Sequence, residues 1–331
     1  MSNTGVDVEA LRRYFEREIP GFGGELAVEL IHGGRSNLTY AVTDGTRRWV
    51  LRRPPRGHLT PTAHDVGREF RVMAALGPTD VPVPRTVVSC EDPAVLGVPF
   101  TVVSHVDGPV LRDGDSLPEI DLRGYPAALV DELVKLHALV PAEIGLGAFG
   151  RPSGFLDRQL RRWRGQWDRV ATRDLSTVDD LHERLGKAAP PESGAALVHG
   201  DYRWDNTILG PDAGIAAIVD WEMAALGDPL TDLGLLLVYW DPRVAPVLGV
   251  RHVPAAAGFP AAGDLAERYA RRSGRDLTEL TFYQALGWFK LAVIAEGIHA
   301  RHRAGQSVGD GYDDVGAAVP VLLDAGLGLL T

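Results

Sequence analysis

The stretch Leu197–Gly210 reads LVHGDYRWDNTILG. A loop that carries His199, Gly200, Asp201, Asp205 and Asn206 feeds a short strand-like run from Thr207 to Leu209. A Gly/Pro/Asp turn follows, then a second apolar run from Ile215 to Val219, then Asp220. Short apolar runs on either side of a turn-forming cluster predict a β-hairpin. A hairpin draws the residue before its first strand towards the residue after its second, so Asn206 and Asp220 are expected to converge with Asp201 nearby. One amide oxygen and one carboxylate oxygen, with coordination positions left open, suit Mg²⁺ bound together with substrate phosphates. Asp201, a few residues earlier on the same loop, can then reach a substrate hydroxyl. Two metal ligands and one carboxylate directed at the acceptor are the parts that phosphoryl transfer needs.

The bulk properties are compatible with this reading and exclude others. The chain has 331 residues, 45% hydrophobic and 24% charged, the proportions of a globular protein with a sizeable core. A formal net charge of −10 argues against nucleic acid as a main partner, since phosphate backbones are bound by basic patches. The single cysteine, Cys90, supports neither a disulfide framework nor a cysteine-based zinc site. MSNTGVDVEALRRYF at the N-terminus carries acidic residues and lacks the apolar core of a signal peptide. No run of about eighteen apolar residues predicts a membrane span. The expected location is the cytoplasm, with no membrane partner.

Along the chain, Val8, Leu11, Phe15 and Ile19 recur at helical spacing and predict a helix over Val6 to Glu18. Ala27 to Ile31, Leu38 to Thr43 and Arg48 to Arg52 are strand-like, with Asp44-Gly45 as a two-residue hairpin turn and Pro54-Pro55 ending the third strand. A helix is expected over Asp65 to Leu76, then strands within VPVPRTVVSCED and GVPFTVVSHVDG. After Gly108 the pattern turns helical, apart from the hairpin of the opening stretch. The predicted class is α+β: an N-lobe over residues 1–104, with a small antiparallel sheet, and a larger, mostly helical C-lobe over residues 105–331.

HGDYRWDN followed by IVDWE resembles the phosphotransferase family that contains aminoglycoside phosphotransferases, choline kinases and other small-molecule kinases. Within it, GLGAFGRPSGFLDRQLRRWRGQW and DWEMAALGDPLTDLG are similar to one branch, the kinase-like domains found with acyl-CoA dehydrogenases. The resemblance runs along nearly the whole chain and implies a bilobal protein-kinase-like fold using ATP and Mg²⁺. It implies Asp201 as catalytic base and Asn206 and Asp220 as metal ligands. His199 would be structural, Glu222 would stand behind the metal site, and Asp228 and Asp232 would brace the C-lobe.

Such a fold must hold its nucleotide in the N-lobe. In IHGGRSNLTY, Gly33, Gly34, Ser36 and Asn37 let backbone N–H groups approach phosphates. The third strand should carry a phosphate-binding cation, and RRWVLRRPP offers Arg52 or Arg53 on opposite faces. Counted from the apolar run, Arg52 takes the position where the wider fold has lysine. Arginine is bulkier and bidentate but still binds phosphate. Glu69, on the following helix, would pair with Arg52 and orient it. In FTVVSHVDG, the backbone of Ser104, His105 and Val106 would meet the adenine.

Two alternatives of other classes stand beside this reading. A metal-dependent hydrolase would need more clustered ligands than ten scattered histidines provide. A catalytically silent nucleotide-binding module would share the fold. As for the acceptor, the acidic residues Asp310, Asp313, Asp314 and Asp324 would suit a polycationic aminoglycoside. Arg158, Arg161, Arg162 and Arg164 point instead to an anionic substrate, and the branch resemblance favours a hydroxylated acyl compound or metabolite.

Overall fold

The computed structural model describes residues 5–31, 37–55, 65–306 and 312–330. Of the expected phosphate-loop residues, Gly33, Gly34 and Ser36 lie outside these, as does Asp310. The chain divides into two compact units, one formed by residues 1–107 with 216–223, the other by residues 108–215 with 224–331.

The first unit opens with α1 (Val8–Glu18), whose N-terminus is capped by the Asp7 carboxylate accepting from the Ala10 N–H at 2.9 Å. Five strands follow: β1 (Ala27–Leu30), β2 (Leu38–Thr43), β3 (Arg48–Arg53), β4 (Thr86–Cys90) and β5 (Phe100–Ser104). They form an antiparallel sheet in the order β1-β2-β3-β5-β4. Helix α2 (Val66–Leu76) is inserted after β3 and the short α3 (Pro93–Leu96) lies between β4 and β5. Leu11 and Phe15 of α1 join Tyr40, Trp49, Leu51, Phe100 and Val102 of the sheet in one buried core. Period-two alternation therefore sends Trp49, Leu51 and Arg53 into that core, and Val50 and Arg52 to the other face. The β2–β3 turn differs from expectation. Thr43 pairs with Arg48, leaving a four-residue loop. Its geometry is set by Asp44, whose Oδ1 accepts from the N–H groups of Thr46 at 3.0 Å and Arg47 at 2.7 Å.

The second unit is mostly helical: α4 (Tyr125–Ala138), α5 (Phe155–Val170), α6 (Ser176–Ala188), α7 (Leu230–Tyr239), the short α8 (Ala245–Leu248) and α9 (Val253–Ala256), then α10 (Ala262–Ser273), α11 (Leu280–Arg303) and α12 (Val315–Gly328). Helix α11 is apolar on all sides through its middle, as a central helix must be, and packs against α5, α6, α7 and α12. Gly234 of α7 permits one close approach, since a Cβ there would lie 2.6 Å from the Tyr283 backbone. Strands appear at β7 (Thr207–Leu209) and β8 (Ile215–Ile218), in the two runs that predicted the hairpin. The Gly210 N–H closes the turn between them on the Gly214 carbonyl at 2.8 Å. Two further strands carried no signal in the sequence: β6 (Ala196–Val198) and β9 (Ala225–Gly227), paired antiparallel with Val198 opposite Ala225. Among the described residues no helix is long and apolar enough to cross a membrane.

Candidate active site

Two groups of polar side chains stand out, one on each unit. On the first unit, β3 presents Arg52 on the face away from the α1 core, and α2 presents Glu69, 2% exposed. Their ion pair closes at 2.5 Å, and the other arm of Arg52 donates to Asp220 Oδ1 at 3.1 Å. The Trp221 N–H also donates to Glu69, at 3.3 Å. Burial pushes the Glu69 carboxyl up to about 7, with Arg52 pulling it down and Asp220 and Glu222 adding to the rise. For Arg52 burial acts against the charge, and the carboxylates of Glu69 and Asp220 more than restore it.

Asp220 sits at φ 66°, one of two non-glycine residues with a left-handed backbone among those described. That conformation costs an aspartate about 1 kcal/mol or more, and such strain gathers where a side chain must be aimed. Glu222 follows on a short 3₁₀ turn (Trp221–Met223), where its charge bears on both Arg52 and Glu69.

The two arginines of β3 have different surroundings. Arg53 is 2% exposed and is used internally: it donates to the Gly5 carbonyl at 3.0 Å and to the Tyr40 hydroxyl at 2.9 Å. Asn37 is buried, and neither of its side-chain polar atoms has a hydrogen-bond partner among the described residues. At the end of β5 the expected adenine-binding backbone is already partly engaged. The Ser104 N–H donates to the Arg85 carbonyl at 2.8 Å and the His105 N–H to the Arg48 carbonyl at 3.1 Å. Of the three N–H groups expected to face a base, only that of Val106 has no acceptor among the described residues.

On the second unit, β6 leads into the loop His199–Asn206. Gly200 turns it at φ 82°. The loop is held from below by Asp232 of α7, buried, which accepts from the N–H groups of His199 at 2.6 Å and Gly200 at 2.8 Å and meets His137 Nε2 at 3.2 Å. Asp228 accepts from Ser193, the Leu230 N–H and the Tyr283 hydroxyl. Both aspartates are thus braces of this unit, and His199 is fully buried, its Nδ1 accepting from the Asp201 N–H at 3.2 Å.

Asp201 is the focus of this loop. Its Oδ1 accepts from the Tyr239 hydroxyl at 2.9 Å and its Oδ2 from Asn206 Nδ2 at 3.2 Å. Arg203 Nε lies 3.5 Å from Oδ2, with its guanidinium 4.8 Å over the Tyr239 ring. Lys290 of α11, buried, donates to the Gly200 carbonyl. Burial acts to raise the Asp201 pKa, but Arg203, Lys290, the Tyr239 hydroxyl and His199 outweigh it and hold the carboxyl below its ordinary range. Asn206 spends its NH₂ on Asp201, through both Oδ2 and the backbone carbonyl at 2.8 Å, which leaves its amide oxygen directed elsewhere. Asp205 is half-buried against Arg203 at 3.0 Å, and burial raises its pKa.

Tyr239, Lys290 and Arg203 were not singled out from the sequence. Arg203 and Tyr202 separate the two polar ends of the opening stretch and read there as filler. Tyr239 and Lys290 lie inside apolar helical runs and carry no local signal beyond a lysine, Lys290, among buried apolar neighbours.

The profile of the phosphotransferase enzyme family matches residues 27–283. A protein from Ralstonia eutropha, provisionally named an aminoglycoside phosphotransferase, has a structure similar to this one over 98% of both chains, with a TM-score of 0.84 and 31% identity. The acyl-CoA dehydrogenase family member 11 of Rattus norvegicus is 34% identical over 98% of this chain, which spans 43% of that protein's length. An aminoglycoside phosphotransferase solved in ternary complex with ADP and hygromycin B shares the fold, with a TM-score of 0.63 at 15% identity over 98% of this chain and 97% of that one. The fold is thus the protein-kinase-like one of small-molecule phosphotransferases. The chain belongs to the phosphotransferase enzyme family.

Proposed function

We propose that the chain is an ATP- and Mg²⁺-dependent kinase that phosphorylates a hydroxyl group of a small molecule in the cytoplasm. The observation that carries this is the placing of Asp201: half-buried, and oriented through both oxygens by Tyr239 and Asn206, with cations near it that hold its pKa below the ordinary range. A carboxylate held below its ordinary pKa is a weak base. Its work is to align the acceptor hydroxyl and take its proton late, after most of the bond to the transferred phosphoryl has formed, which is the order a loose transition state allows.

In this reading Arg52, oriented by Glu69, binds the nucleotide phosphates, and Asn37 with the glycine loop covers them. The residues present fit Mg²⁺. The Asn206 amide oxygen is left over once its NH₂ has been used, and Asp220 is a strained, half-exposed carboxylate, both hard oxygen donors. When bound, the ion would neutralise charge on the phosphates. Among the described residues no group of three or more His, Cys, Asp and Glu could hold a metal by itself, so substrate oxygens and water would complete the shell. The Val106 N–H is the donor left for the base. The acceptor favoured is a hydroxylated acyl compound or other metabolite over an aminoglycoside.

ADP release from ATP–Mg²⁺ over a panel of hydroxylated acyl compounds, sugars and aminoglycosides tests the proposal. Acceptor-dependent release abolished by Asp201→Asn supports it. Nucleotide binding without release for any acceptor supports the second reading, a silent nucleotide-binding module. That reading is favoured by one observation: Arg52 is already engaged by two carboxylates.

A further inference from the structure

The second unit carries an open cavity of about 550 Å³ whose wall includes Arg151, Arg158, Arg161 and Arg162, with the buried side chains of Phe155 and Leu226 as its apolar part. Arg158, Arg161 and Arg162 stand at i, i+3 and i+4 on α5, so they share one face, and like charges at that spacing disfavour a helix. Several other arginines of this unit are matched by carboxylates: Arg164 with Asp168 and Asp179, Arg173 with Glu296, Arg243 with Asp241, Arg268 with Asp131. Among the described residues no carboxylate lies within ion-pair distance of Arg151, Arg158 or Arg161. Arg158 is instead spent on the carbonyls of Arg151 and Ser153, which fixes the Arg151 loop against the helix. The N–H groups at the start of α5 are already taken by Glu192, so what the cavity offers an incoming group is guanidinium.

The cavity adjoins the loop of Asp201 within the same unit. Its lining residues Ala225 and Leu226 belong to β9, which pairs with β6, the strand that runs into His199–Asp201. Arg162 lies 5.5 Å over the Trp163 ring and Lys290 lies 5.3 Å over the same ring while holding the Gly200 carbonyl. A positive field therefore extends from the cavity to the catalytic loop.

Resting on the kinase reading above, we infer that this cavity docks the phosphate group of a phosphate-bearing acceptor alcohol. Planar guanidinium forks match phosphate oxygens, and a wall that gathers several guanidinium groups suits a multiply charged anion better than a single carboxylate. Phe155 and Leu226 accommodate a short hydrocarbon segment between that phosphate and the reacting hydroxyl. Gly227 makes room for this apolar part, since a Cβ there would lie 2.6 Å from the Phe155 ring. A polycationic acceptor would meet like charge.

The test has two arms. Calorimetry with inorganic pyrophosphate should show a site that survives Arg52→Gln and Arg169→Gln and weakens about tenfold or more in Arg158→Gln/Arg161→Gln. In turnover, phosphorylated alcohols should lose about tenfold in KM with kcat unchanged in that double variant, while their unphosphorylated counterparts are unaffected. The inference is overturned if the wild type binds no pyrophosphate, if the double variant binds it as tightly, or if both kinds of alcohol lose KM equally. If no alcohol is turned over at all, the kinase reading fails and the assignment to the acceptor falls with it, while the pyrophosphate arm still decides whether the anion site exists.

Discussion

The two polar groups are built in opposite ways. Arg52 and Glu69 are 17 positions apart, on a strand and the helix that follows it, and one charge is balanced by two. Asp201 draws its partners from far along the chain: Tyr239, 38 positions on, and Lys290, which meets the neighbouring Gly200 carbonyl 90 positions on. The first group adds to that local pair a carboxylate from 168 positions on, Asp220, and depends on charge. The second is a product of the whole helical unit, and its carboxylate is positioned by neutral donors and backbone as much as by charge. The difference predicts different failures: the first should break through charge and affinity, the second through packing and turnover.

The largest effect is expected at Asp232. Replacement by alanine leaves the buried His199 and Gly200 N–H groups without an acceptor and should cost about 3 kcal/mol of stability, read by denaturant unfolding. An unchanged midpoint would mean that the loop carries itself. Next, Lys290→Met keeps the shape but removes a buried cation that holds the Gly200 carbonyl and biases Asp201, so kcat should fall by about thirtyfold with the KM for ATP unchanged. Tyr239→Phe deletes one hydrogen bond to Asp201 and should lower kcat by about tenfold.

The smallest effect is on pH dependence and belongs to the first group. Glu69 has a folded-state pKa of about 7, above its unfolded value, so the fold binds its proton more tightly. Stability from this carboxyl is therefore present at low pH and declines as pH rises towards about 7. Activity runs the other way, because Arg52 needs the ionised partner. Affinity for ATP should weaken as pH falls below about 7 in the wild type, and that limb should vanish in Glu69→Gln.

The same contrast explains what the sequence disclosed. Local periodicity put Arg52 on a strand and Glu69 on the helix that follows, and the resemblance to the kinase-like fold supplied their pairing. The different surroundings of Arg52 and Arg53 were not legible, since either face of β3 could have been the inner one. The hairpin strands were legible from turn residues flanked by apolar runs. Strands β6 and β9 were not, since each has three residues and their pairing joins segments with no local turn between them. Tyr239 and Lys290 were hidden for another reason: inside apolar helical runs, a functional side chain and a packing one have the same spacing.

One paired measurement tests the account most directly: the affinity for ATP–Mg²⁺ and the rate of phosphoryl transfer, in Asp201→Asn and Arg52→Met side by side. The account predicts that Asp201→Asn keeps nucleotide affinity within about twofold while turnover falls by about a thousandfold, and that Arg52→Met loses affinity first. Loss of affinity in Asp201→Asn with turnover retained at saturating ATP would contradict it.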